Sequence, residues 1–184
     1  MPRPDISLSK ELPTADFVRD YVDIPLCENG CSHCVRYGKY WTCPPFGFSR
    51  LEFWTRYSAV LLYGKKVFVS ESLRREPLPD TVLYDEWERL LAPSKKRLMA
   101  ELYAMEQCTP GSLALSCGGC GLCASCTRPQ GEPCRNSDRM RFSVEALGAN
   151  VEKCVSELLG EKLLWAEGGK LPEYFVLMGA LLIP

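Results

Sequence analysis

SAVLLYGKKVFVS, Ser58 to Ser70, is the stretch on which the fold turns. It is rich in β-branched and aromatic residues, and Gly64 at its centre marks a turn or a bulge, so it reads as a strand or a tight hairpin. Downstream, SLALS (112–116), KLLWA (162–166) and YFVLMGALLI (174–183) supply further strands. Helical spacing surrounds them. A short helix runs from a cap at Thr14 to Tyr21 with Phe17, Val18 and Tyr21 on one side, and a brief one covers 50–57. The segment 80–107 reads as helix in two pieces broken near Pro93, with Leu98, Leu102 and Met105 as the buried stripe of the second. Ser143 looks like the N-cap of another helix, carrying Val144, Leu147, Val151, Val155 and Leu158 inward until Gly160 ends it. These elements predict an α+β fold: a single domain over 1–184 with a mixed or antiparallel sheet packed on helices, of which a ferredoxin-like sandwich is one form.

The chain has 184 residues, enough for one core, and a formal net charge of −1, which advertises neither nucleic acid nor an anionic membrane as partner. The start, MPRPDISLSKELP, has no apolar export segment, and the longest apolar run, 174–183, is too short to span a bilayer. A cytoplasmic location follows as the expectation. Eleven cysteines in a reducing compartment point to metal ligation rather than to disulfides.

Nine of these cysteines fall into two loops. The second, 117–134, reads CGGCGLCASCTRPQGEPC. It holds two overlapping C-x2-C-x2-C registers; thiolates at i, i+3 and i+6 reach three corners of an iron-sulfur cube and a more distant one the fourth, and of the five thiols we take Cys120, Cys123, Cys126 and Cys134. Glycines 118, 119 and 121 let the backbone approach. Two C-x2-C knuckles also suit tetrahedral zinc, although the chain offers only His33 as a histidine. Cys117 has no clear task. Arg135, Arg139 and Arg141 follow; they are candidates to tune the cofactor or hold an anion, or else form a solvated approach with Asp138 and Glu145 as partners.

The Tyr37-Gly38 pair with Trp41 and Cys43-Pro44-Pro45, together with CGLCASCTRPQGEPCRNSDRMRFSVEALGANV (120–151), resembles the cysteine-rich family of predicted metal-binding proteins called domain of unknown function 2284. The similarity runs from about Cys27 to the final strand. It implies metal or iron-sulfur binding in a cytoplasmic protein of anaerobic prokaryotes and implies no reaction. The family-like ligands are Cys31, Cys34 and Cys43 in front and Cys120, Cys123, Cys126 and Cys134 behind; Cys27 and Cys117 match least. Prolines common in the family are replaced here by Ser137 and Phe142.

The first loop, 27–45, opens with Cys27, Cys31 and Cys34 in the C-x3-C-x2-C spacing of radical S-adenosylmethionine enzymes. Context argues against that chemistry: His33 stands where an aromatic is usual, no run of βα units follows, and Cys43 would fill the iron that must stay open. A second metal site on Cys27, Cys31, Cys34 and Cys43 is the better reading. His33 is a ligand, a proton donor or a bystander, and Tyr37, Tyr40 and Trp41 are apolar cover for a cluster. Cys154 reads as core and Cys108 as a loop thiol. The functions these features allow are an electron carrier with two 4Fe-4S clusters serving a redox partner protein, a cluster-dependent enzyme with an open iron, and a zinc-stapled interaction module.

Overall fold

The architecture is that of a computed structural model, which describes residues 3–75 and 77–184. Its elements in chain order are β1 (Ile6–Pro13), α1 (Thr14–Tyr21), α2 (Ile24–Ser32), α3 (Arg50–Trp54), β2 (Ala59–Phe68), α4 (Glu71–Arg74), α5 (Asp80–Cys108), β3 (Leu113–Leu115), α6 (Val151–Lys153) and β4 (Tyr174–Ile183). The sheet has the order β1-β2-β4-β3, and every neighbouring pair is antiparallel. The fold is α+β, with the antiparallel form realised. A ferredoxin-like sandwich contains a parallel strand pair that is joined through a helix and split by an antiparallel strand, and β2 and β3 stand in that relation about β4, joined through α5.

Both faces of the sheet are covered, which explains why β4 is apolar at every turn of the pleat. Val60 and Leu62 of β2 share one face with Met178, Ala180 and Leu182 of β4, under Phe17, Phe53, Trp54 and the segment from Val144 to Val155. Val67, Leu177 and Leu181 point the other way, onto Leu91, Leu98 and Leu102 of α5. Phe17 and Trp54 are fully buried with ring centroids 5.1 Å apart, and Trp54 Nε1 donates to the Leu147 carbonyl at 3.0 Å. Truncating either ring to alanine costs about 3–5 kcal/mol.

Six local expectations are decided or corrected. Ala59–Phe68 is one strand and not a hairpin: Gly64 pairs with Met178 in register, and a Cβ there would stand 2.7 Å from the Leu177 carbonyl oxygen. Glycine therefore serves close approach of two backbones, not a turn. The segment Asp80–Cys108 is one continuous helix through Pro93, which is exposed. A turn at Gly148 (φ +96°) interrupts the helix expected from Ser143, so helix begins only at Val151, capped by the Asn150 side chain, and runs on as a π-helix over Cys154–Leu158. KLLWA, 162–166, forms no strand. The first cysteine loop opens as a helix, α2, with Asp23 Oδ1 accepting from Leu26 N–H at 3.0 Å and Pro25 in its first turn. Thr14 is the first residue of α1 rather than its cap. No helix of the described residues is long and apolar enough to cross a membrane.

Candidate metal centre

Backbone pairing pins both cysteine regions to the same end of the molecule. Ser116 N–H donates to the Phe142 carbonyl at 2.8 Å and Val144 N–H to Ser116 at 3.3 Å, so the second loop leaves and returns at one point. Beside it, Asp23 N–H donates to Gly148 at 2.8 Å and Asn150 N–H to Tyr21 at 2.8 Å, which sets the start of α2 against the returning chain.

Within the second loop, Cys120, Cys123, Cys126 and Cys134 line one small recess of about 20 Å³. Tyr40 and Trp41 of the first loop form part of its wall. Asn136 Nδ2 donates to Cys123 Sγ at 3.0 Å. Cys117 does not belong to this recess; it lies on the side facing Trp87 and Lys95, and burial, with Glu145 adding, pushes its thiol up to about 12. Burial also raises Cys120, with its fellow thiols Cys134, Cys123 and Cys126 adding.

The first group is arranged differently. Cys27 and Cys31 are four apart on α2 and so share a face, while Cys34 and Cys43 lie in the loop that follows. Burial, reinforced by neighbouring thiols and Glu145, pushes Cys27 and Cys31 up to about 11. Cys43 is raised by burial against a hydrogen bond from Thr42, and feels Cys34 and Glu145. Cys27 Sγ donates to the Ala149 carbonyl at 3.4 Å, and Cys34 is exposed. Glu145 itself is pushed up by burial despite hydrogen bonds from its own backbone, the Ser143 side chain and the backbone of Gly118. All eleven cysteines are free thiols, and among the described residues no three Cys, His, Asp or Glu side chains converge on a single-ion site.

Several residues that the sequence did not single out join the two loops. Arg128 donates from Nη1 to the Tyr40 and Cys43 carbonyls and from Nη2 to Pro45. Trp41 Nε1 returns the link, donating to Thr127 Oγ1 at 3.2 Å and Glu132 O at 3.1 Å. Arg36 lies against Gly119, where a Cβ would stand 2.0 Å from its Nη1. Glu28 of α2 accepts from Tyr37 OH at 2.6 Å and Arg50 Nη2 at 2.5 Å. Tyr37 therefore braces α2, whereas Tyr40 and Trp41 take the covering place expected of them. Arg128 and Asn136 carry no spacing signal; only the loop's closure brings them to their partners.

The three expected arginines separate. Arg135 lines the recess beside Cys134. Arg141 is taken up by Glu106, and Arg139 is exposed with its carbonyl accepting from Tyr103 OH at 2.8 Å. His33 is exposed, its Nδ1 2.8 Å from the Asn29 carbonyl. Cys154 is fully buried in the core and Cys108 exposed at the end of α5.

A family model described as predicted metal-binding protein (DUF2284) matches residues 13–183. The chain belongs to that family. Membership makes metal binding the family-level description and spans both cysteine loops, so the DUF2284 match covers the whole of the site described above. No curated protein and no solved structure matches the chain.

Proposed function

We propose that this DUF2284 protein is an iron-sulfur protein that passes single electrons to a partner protein in the reducing cytoplasm. The carrying observation is that Cys120, Cys123, Cys126 and Cys134 line one recess together while no three Cys, His, Asp or Glu side chains of the described residues group as a single-ion site. A zinc ion with bonds of about 2.3 Å draws its four sulfurs close together, whereas a 4Fe-4S cluster spreads them over the corners of a cube. The donor set fits: four thiols, the Asn136 amide on one sulfur, and an aromatic wall that limits water. Such a cluster supplies one-electron chemistry. Cys27, Cys31, Cys34 and Cys43 would hold the second centre.

The chain's own part is to set the environment. Asn136 donates to ligand sulfur and Arg135 places a cation at the rim, both favouring the more negative reduced state, whereas Trp41 and Tyr40 exclude solvent and so oppose added negative charge. Arg128 holds the two loops at a fixed separation, which one-electron transfer between centres requires.

The reading is tested by anaerobic purification with iron, zinc and acid-labile sulfide analysis, and an electron paramagnetic resonance spectrum after reduction. About eight iron and eight sulfide per chain are expected, the content of two cubanes. Stoichiometric zinc without sulfide overturns it.

A further inference from the structure

A second feature of this end of the molecule goes beyond metal ligation. Cys34 of the first loop and Cys120 of the second face one cavity of about 720 Å³, whose other walls include Arg36, Lys95, Lys96 and Tyr103. It adjoins a cavity of about 320 Å³ through the shared residues Trp87, Lys95, Cys117, Gly118 and Glu145. The second space is walled mainly by apolar groups, among them Leu163, Trp165, Phe175 and Met178. Both volumes fall in the range of small-molecule sites, roughly 300–1,000 Å³.

The two spaces differ in chemistry. In the apolar one, Trp87 stacks on Phe175 with ring centroids 5.6 Å apart at 3°, and Trp165 meets Trp87 edge-on at 6.3 Å. Trp87 Nε1 is buried with no hydrogen-bond partner among the described residues. In the larger space the cations Arg36, Lys95, Lys96 and Arg141 meet the carboxylates of Glu88 and Glu145. Lys95 is paired with Glu88 at 3.0 Å and Arg141 with Glu106, which leaves Arg36 and Lys96 without an ion pair among the described residues. An apolar aromatic sleeve therefore opens onto a cationic chamber bordered by thiols of both loops.

We propose that the adjoining cavities form a binding site for a small organic anion with an apolar or aromatic body, the body between Trp87, Trp165 and Phe175 and the anionic head at Lys95, Lys96 and Arg36. The charge of the head is set by the cations, and the size of the body by the sleeve. Such a molecule would lie beside Cys34 and Cys120, within reach of both loops. The proposal stands on the cavities and does not depend on which metal the loops hold.

The test is isothermal titration calorimetry on the anaerobically purified full chain of known metal content, with anilinonaphthalene sulfonate as the anionic probe and neutral phenylnaphthylamine as its control. One anionic probe per chain is expected, binding at least tenfold more weakly to the K95Q/K96Q double variant and to W165A. Trp165 is 55% exposed, so W165A leaves the core intact. The neutral probe should weaken with W165A and not with K95Q/K96Q. Absence of saturable binding in fully metallated protein overturns this site and leaves the electron-carrier reading standing. Equal binding by the variants, or equal sensitivity of both probes to K95Q/K96Q, overturns it as well.

Discussion

Arg141 closes onto Glu106: its Nε lies 2.9 Å from Oε2 and its Nη2 bonds Oε1. The same carboxylate accepts from the Ala114 N–H at 2.6 Å. One side chain thus holds the end of α5, the strand β3 and the return of the second cysteine loop. Burial pushes the Glu106 carboxyl up, but the guanidinium bonds and the Ala114 N–H outweigh it and leave it below the ordinary value. Arg141 is thereby a structural clamp at the base of the second cysteine loop, its guanidinium taken up by Glu106.

Removing the clamp should be costly because both partners are mostly buried, with side-chain exposures of 11% and 15%. Arg141→Leu strands a carboxylate and is expected to cost about 2–4 kcal/mol, while Glu106→Gln keeps an acceptor for Ala114 and costs about 1–2 kcal/mol. A folded-state value below 4.5 means that the pair's contribution is present at neutral pH and lost as pH falls through that region. Urea midpoints of wild type and Glu106→Gln should therefore keep their gap from pH 7 to about pH 5 and converge as pH falls below about 4.5. A gap that stays constant below about pH 4.5 would refute the assignment.

The join between the loops predicts a different kind of defect. Arg128→Ala removes three carbonyl contacts, to Tyr40, Cys43 and Pro45, without touching a thiol. Metal should still load, and transfer to a chelator should become about 10–100-fold easier, the usual effect of losing groups that position ligands. Asn136→Leu removes a donor from Cys123 Sγ and should move the reduction potential of the second centre to more negative values at unchanged iron content. A potential that does not move would place the amide outside the metal's influence.

What the sequence disclosed follows from which forces are local. β4 was legible because burial on both faces makes it apolar throughout, and α1 because Phe17 and its neighbours repeat at helical spacing. β1, ISLSKELP, was invisible: it is an edge strand, mostly exposed, and gains its place from backbone pairing with β2. α2 carries its start signals at Asp23 and Pro25, but the cysteine spacing there is equally that of a metal-binding loop. The grouping of Cys120, Cys123, Cys126 and Cys134 in one recess was legible from spacing. Exclusion of Cys117 from the recess, and the roles of Arg128, Asn136 and Glu106, depend on contacts between residues up to 88 apart and leave no local trace.

Gly64 offers a direct check of why β2 is one strand. Its Cβ would lie 2.7 Å from the Leu177 carbonyl oxygen, and backbone at the centre of a sheet has little freedom to yield. Gly64→Ala should cost about 1–3 kcal/mol by overpacking, even though alanine suits a strand better than glycine does. Were the residue a hairpin turn, the loss would instead come from strand order, seen as altered amide exchange along Lys65–Phe68. Thermal and urea denaturation with exchange on the same sample separates the two.

The choice among the five thiols of the second loop can be decided by counting iron. Cys120, Cys123, Cys126 and Cys134 line the recess, while Cys117 faces the cavity with Trp87 and Lys95 and is held neutral by burial. Cys117→Ser should keep the full metal complement. Cys120→Ser, Cys126→Ser or Cys134→Ser should each lose or destabilise one centre, a fall from about eight iron toward about four per chain. Because burial pushes Cys27 and Cys31 up to about 11, ligation must expel their protons, so loading of the first centre should strengthen as pH rises from 6 to 8. The Cys117→Ser variant should show that same pH dependence, since its thiol surrenders no proton to a metal. Loss of iron in Cys117→Ser with retention in Cys134→Ser would reverse the ligand assignment and move the centre from the recess to the cavity side of the loop.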